Sequence, residues 1–186
     1  YEYIANILYA LILRKLSNTI LFILMFIAGG ALIHLAVTSP NGDIIGGWAI
    51  SPEQIRIGLT RLMFPFLAGI LLRRYFKPTS IKNAFLLTSI LLTIFLVFPR
   101  VGGETQVWLN GIYDSGIVIF IFPIIVYLGA SGKIEGQFSN KVCKFLGDIS
   151  YPLYITHYPI VYVFYGWVNR NNISLADSIP MAILTI

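Results

Sequence analysis

A charged side chain inside an apolar helix needs a physical reason, because lipid offers it no partner. Arg61 is the clearest such residue, in Gly58-Leu-Thr-Arg61-Leu-Met-Phe-Pro65-Phe-Leu-Ala68-Gly69. At 100° per residue, Gly58, Pro65, Ala68 and Gly69 fall within about 80° of it, with Phe66 and Ile70 opposite. Small neighbours let a second helix approach closely, so the guanidinium is expected to face a bundle interior. There it can clamp a phosphate, a carbonyl or a carboxylate, or serve packing alone as an ion pair or carbonyl cap between helices.

A second polar stripe lies in Leu146-Gly-Asp148-Ile-Ser150-Tyr151-Pro152-Leu-Tyr154-Ile-Thr-His157-Tyr158-Pro159. Asp148 or Ser150 can cap a helix there, with Pro152 in its first turn at little cost. Ser150, Tyr154 and His157 then fall within about 60° of one another. Pro159 has no N–H for the Ile155 carbonyl. An imidazole can move a proton near neutral pH; it can equally hydrogen-bond a neighbouring helix for packing. Counted from Ser150 and from Ile55, the levels of His157 and Arg61 differ by about 10 Å in a core about 30 Å thick, within reach of one elongated substrate.

Other candidates have plainer readings. Arg56 points about 140° away from Arg61, three residues after Glu53, and can snorkel to water. His34 sits one turn from a helix end. Cys143 is the single cysteine, which excludes an intramolecular disulfide and a cysteine zinc site. The sequence shows no metal-ligand cluster, glycine-rich phosphate loop, paired catalytic carboxylates or nucleophile elbow, so no metal and no bound cofactor are expected.

The elements that must carry these residues are membrane helices. The 186 residues are 57% hydrophobic and 11% charged, with a mean hydropathy of +0.80; a soluble domain carries about 25% charge. Apolar blocks run over 1–13, 19–37, 55–72, 81–98, 116–128 and 150–168, and a further one starts at 175. The expected fold is all-α, a bundle of about six spans plus the start of a seventh, in one membrane domain covering 1–186.

Charge assigns the sides. Arg14, Lys15, Arg73, Arg74, Lys77, Lys82, Lys133, Lys141 and Lys144 lie in alternate connections, and only Arg100 and Arg170 in the others. The basic loops 14–15, 73–82 and 133–144 are therefore expected on the cytoplasmic side of a bacterial inner membrane. Trp48, Trp108 and Trp167 fall near the opposite helix ends. The chain opens at Tyr1 and closes at Ile186, each inside an apolar stretch, without a signal peptide; it is expected to be a piece of a longer protein, cut at both ends.

Phe145-Leu-Gly-Asp-Ile-Ser-Tyr-Pro-Leu-Tyr-Ile-Thr-His157-Tyr-Pro159 resembles the late Gly-x-x-Ser-Tyr-x-x-Tyr-x-x-His signature of acyltransferase family 3. Arg61 to Arg73 looks like that family's middle segment. Tyr1-Glu2-Tyr-Ile-Ala-Asn resembles the stretch after a Trp-Ser-Leu motif, with Glu2 as its acidic partner. The resemblance implies a membrane enzyme of about ten helices. It would move an acyl group, often acetyl from acetyl-CoA, onto a hydroxyl of a sugar or similar acceptor. It implies acyl-CoA as co-substrate and places Arg61, His157, Tyr154, Ser150, Tyr151 and Glu2 along the substrate path. The family's essential histidine, paired with an arginine, belongs to its first helices, so the general base is expected upstream of Tyr1 and these residues alone are expected to be inactive. Broken helices with buried charge also suit a transporter or flippase for a glycan or lipid; a non-catalytic scaffold is the third reading.

Overall fold

Serine caps start the two long helices that anchor the fold. In a computed structural model of the chain, Ser17 Oγ accepts from Ile20 N at 3.3 Å, and Ser51 Oγ accepts from Gln54 N at 3.3 Å ahead of Pro52. The structure describes residues 1–99, 101–133, 137–171, 173–174 and 178. Within these it does not describe the side chains of Glu2, Gln137, Phe138, Ser139, Tyr151, Tyr154, Ile155, His157 and Tyr158.

The helices are α1 (Glu2–Leu11), α2 (Asn18–Thr38), α3 (Pro52–Tyr75), α4 (Ala84–Val97), α5 (Val107–Gly116), α6 (Phe122–Ala130) and α7 (Gln137–Arg170). A 3-10 turn spans Leu13–Lys15 and a π turn spans Ile117–Ile121. Among the described residues the fold is all-helical apart from one bridge between Ile81 and Gly132. Three helices there are long and apolar enough to cross a membrane: Asn18–Thr38, Pro52–Tyr75 and Val107–Ala130.

The third of these is α5, the π turn and α6 in series. Pro123 has no N–H to offer one turn back, and just before it Phe122 N–H donates to the Ile117 carbonyl, five residues away. The expected start of this span at 116 is corrected to Val107, which makes Asp114 helical where a connection was expected.

Tyr1–Lys133 and Ile134–Ile186 form two compact units. The core of the first lies between α2 and α3, where Leu21, Leu32, Phe64, Leu67 and Leu71 are buried. Each such side chain contributes about 1.5–3 kcal/mol when buried from water, and rather less when its alternative is lipid. α5 closes on α2 through Gly111.

Arg74 fastens one end of this unit. Its Nη1 donates to the Leu16 carbonyl and to Asn18 Oδ1, both at 2.8 Å. Its Nη2 donates to the carbonyls of Arg14 at 3.0 Å and Leu13 at 3.3 Å. The guanidinium thus caps the turn after α1 from the last turn of α3. Nearby, Ile81 N donates to Ser131 O at 2.8 Å and Lys133 N to Ile81 O at 3.0 Å. These bonds bring Arg14–Lys15, the 73–82 segment and Lys133 to the same end of the unit. Arg74→Ala should destabilise the full-length protein by about 1–3 kcal/mol, and Arg74→Lys should recover little, since an ammonium cannot span four acceptors. An unchanged melting temperature in detergent would remove Arg74 from this role.

The second unit contains α7, 34 residues long. At 1.5 Å per residue it extends about 50 Å. Its start at Gln137 corrects the expected cap at Asp148 or Ser150: both are interior, and Pro152 and Pro159 lie well inside the helix. Lys141 and Lys144 are helical as well, where a basic loop was expected.

Candidate functional site

Arg61 stands nine residues after Pro52, about 14 Å into α3, deeper than a count from Ile55 gives. It is half-buried, about 60° round the helix from Phe64. Its Nη1 donates to the Gly46 carbonyl. That carbonyl belongs to the connection between α2 and α3, which folds back along the start of α3. Gly46 and Gly47 have φ of +142° and +89°, backbone that glycine adopts readily.

Gln54 holds the other side of the connection. Its Oε1 accepts from Gly47 N at 2.6 Å and from Trp48 N at 3.3 Å. A Cβ on Gly47 would lie 2.7 Å from Gly58 Cα, and one on Gly58 would lie 2.6 Å from the Tyr1 ring. The Tyr1 hydroxyl donates to Gln54 O at 3.3 Å. The small residue at 58 therefore admits a backbone loop and an aromatic ring, where the sequence pattern led one to expect a helix.

The result is a half-buried guanidinium with one nitrogen fixed on a carbonyl. Among the described residues it makes no other hydrogen bond and no ion pair. Its remaining N–H groups can bind an anion or a carbonyl without first giving up a partner. Arg56 is exposed and His34 is exposed, in keeping with their plainer readings.

On α7, Ser150 is exposed and its Oγ donates to the Gly147 carbonyl at 2.7 Å. Glu2, Tyr151, Tyr154 and His157 were also expected in the site, but their side chains lie outside the described residues. The whole chain, residues 1–186, matches the sequence profile of the acyltransferase domain of acyltransferase family 3. The chain belongs to this acyltransferase family.

Three curated relatives are proteins of Staphylococcus aureus strains COL, MSSA476 and MRSA252, provisionally named O-acetyltransferases. Each is similar to this chain at 26% identity over 143 residues, which cover 69% of the chain and 22% of the relative. The chain thus spans about a fifth of the length of these relatives. No solved structure matches it.

Two features of the acyltransferase domain were not anticipated from sequence. Gln54 reads as an ordinary first-turn polar residue; its one available signal is its place three residues after the capping Ser51. The other is an apolar cavity of about 710 Å³ between α2, α3 and the π turn. Its residues are scattered over 22–123 and carry no common motif.

Proposed function

We propose that the intact protein is an integral membrane O-acyltransferase. In this reading it moves an acyl group, acetyl in the simplest case, from acyl-CoA to a hydroxyl of a carbohydrate or similar acceptor. The observation that carries the reading is the family match over residues 1–186. The names of the relatives favour oxygen as the acceptor atom and acetyl as the group. The half-fixed Arg61 adds a site in a membrane helix suited to a phosphate or a thioester carbonyl.

The acceptor oxygen attacks the thioester carbonyl, a C–O bond forms, and the C–S bond breaks as CoA leaves as a thiolate, which takes up the proton from the general base to become the free thiol. The acceptor proton passes to a general base, which is assigned to a part of the protein outside these residues. Arg61 orients the acyl donor or steadies the oxyanion. Glu2 and, on α7, Ser150, Tyr151, Tyr154 and His157 are assigned to the substrate path. The chain forms a single membrane domain of about six spans and the start of a seventh. Its basic segments 14–15, 73–82 and 133–144 face the cytoplasm of a bacterial inner membrane, where they meet the CoA phosphates.

The test uses membrane vesicles containing the full-length protein and acetyl-CoA labelled in its acetyl group. Transfer should release free CoA thiol in step with label fixed in the glycan or lipid extract. A transporter would release no thiol, and that outcome would end the enzymatic reading.

A further inference from the structure

Arg61 is not among the residues that line the cavity in the first unit, which has a chemistry of its own. Phe22, Gly30, Phe64, Ala68, Tyr75 and Phe120 are among its lining residues, and the Tyr75 hydroxyl is the one polar side-chain group in the lining. From Phe64 to Tyr75 it follows eleven residues of α3, about 16 Å. That is close to half of a hydrocarbon core about 30 Å thick, the depth of one leaflet. Its volume of about 710 Å³ lies within the range of small-molecule sites. A Cβ on Gly30 would meet nothing within 4 Å, so the space there is not taken up by the packing of the helices.

The end near Tyr75 is strongly basic. Arg73, Arg74 and Lys77 surround Tyr75 in sequence, and Arg74 ties the Arg14–Lys15 turn to the same place. The segments 13–38, 62–83 and 115–133 contain no aspartate or glutamate. Membrane topology alone accounts for positive charge at a helix end. It does not account for an apolar cavity of leaflet depth beside that charge.

We propose that this cavity takes a hydrocarbon tail of an anionic bilayer phospholipid, with the phosphate at the Arg73–Lys77 end. The inference is independent of the acyltransferase reading. Lipid headgroups are attracted by juxtamembrane lysine and arginine, and the tail needs no hydrogen-bond partner. A pantetheine arm fits poorly, because its two amides would lie against a lining that offers them no partner.

The full-length protein would be placed in phosphatidylcholine vesicles doped with phosphatidylglycerol carrying a diazirine near the end of one tail. The same probe on phosphatidylcholine provides the comparison. Labelling by the phosphatidylglycerol probe should concentrate on peptides containing Phe22, Phe64 and Phe120, several-fold above the phosphatidylcholine probe. Gly30→Phe should lower that labelling at least fivefold and leave labelling of exposed Phe85 and Leu96 unchanged. Ala68→Leu is a second filling variant should the first fail to fold. Arg73→Gln with Lys77→Gln should bring the phosphatidylglycerol yield down to that of phosphatidylcholine. Equal yields from the two probes in the unmodified protein would overturn the proposal, as would cavity labelling no denser than that of α4. So would an unlabelled cavity, which would mean that another segment of the protein covers it. Competition by long-chain acyl-CoA but not by unlabelled phosphatidylglycerol would overturn it in favour of an acyl-donor site.

Discussion

Arg61→Ala in the full-length protein is expected to lower acyl transfer by about 10²–10³-fold, the range found when one preorganised donor to a developing oxyanion is removed. The expectation rests on the division of labour within one guanidinium. Nη1 is held by the Gly46 carbonyl, which fixes the orientation of the group before substrate arrives. The rest of the fork makes no hydrogen bond or ion pair with the described residues, so in the proposed reaction it would meet a substrate without reorganising. Arg61→Lys separates this role from a purely structural one. An ammonium can replace the bond to Gly46, but it cannot hold that carbonyl and present a planar pair of donors elsewhere. If Arg61 only pins the loop, lysine should restore most of the activity; if it also binds the donor, lysine should recover little. Gln54→Ala gives the complementary perturbation, releasing the Gly47 and Trp48 amides while the charge stays. It should cost about tenfold or less and fall mainly on KM. CoA release by detergent-solubilised protein, with a melting curve as the folding control, measures all three. Normal transfer by Arg61→Ala would take Arg61 out of the mechanism.

Hydropathy made α2 and α3 legible to within three residues at each end. Blocks at 19–37 and 55–72 became Asn18–Thr38 and Pro52–Tyr75, because Ser17 and Ser51 stand where orphan amides need acceptors. Legibility fails where polar residues are satisfied inside a helix. Asn110 is buried, yet its amide serves Gly102 N and Gly103 O, both at 2.9 Å. Ser115 returns its hydroxyl to Gly111 O at 2.6 Å. Both look like loop residues in a sequence, and α5 was accordingly read as a connection. α7 was shortened for the opposite reason: Gly147, Asp148 and Pro152 resemble the opening of a helix, but nothing local distinguishes an opening from a proline carried in the interior. The site divides in the same way. Intramembrane charge singled out Arg61 without its partner, because the Gly46 carbonyl depends on how a thirteen-residue connection folds. Arg73 and Arg74 are equivalent in a topology argument, and only the fold shows that Arg74 caps the turn after α1.

Gly111→Leu should cost the first unit a large part of its stability, and the reason is steric. A Cβ at Gly111 would fall on the carbonyl of Ala36, 2.8 Å from Val37 N. These are backbone atoms of α2, so no side-chain rotation relieves the overlap. Moving α5 outward would separate it from α2 along its length, and moving α2 would disturb the Leu21–Leu32–Phe64 core that it shares with α3. Overpacking costs about 1–3 kcal/mol where side chains can adjust. Here they cannot, and a domain holds only about 5–15 kcal/mol in all, so leucine should bring the protein close to unfolding. Gly111→Ala, the smallest possible intrusion, should already lower the melting temperature clearly. Gly30→Ala is the matched control on α2: the same atom is added in a helix, where it meets nothing within 4 Å. There helix propensity alone should act, favouring alanine by up to about 1 kcal/mol. Melting curves of the three variants in one detergent separate the effects. If the alanine variants at 30 and 111 melt together, the close crossing of α2 and α5 is not what Gly111 provides. Opposite shifts from one added methyl group would establish the crossing as the point where the backbones set the limit.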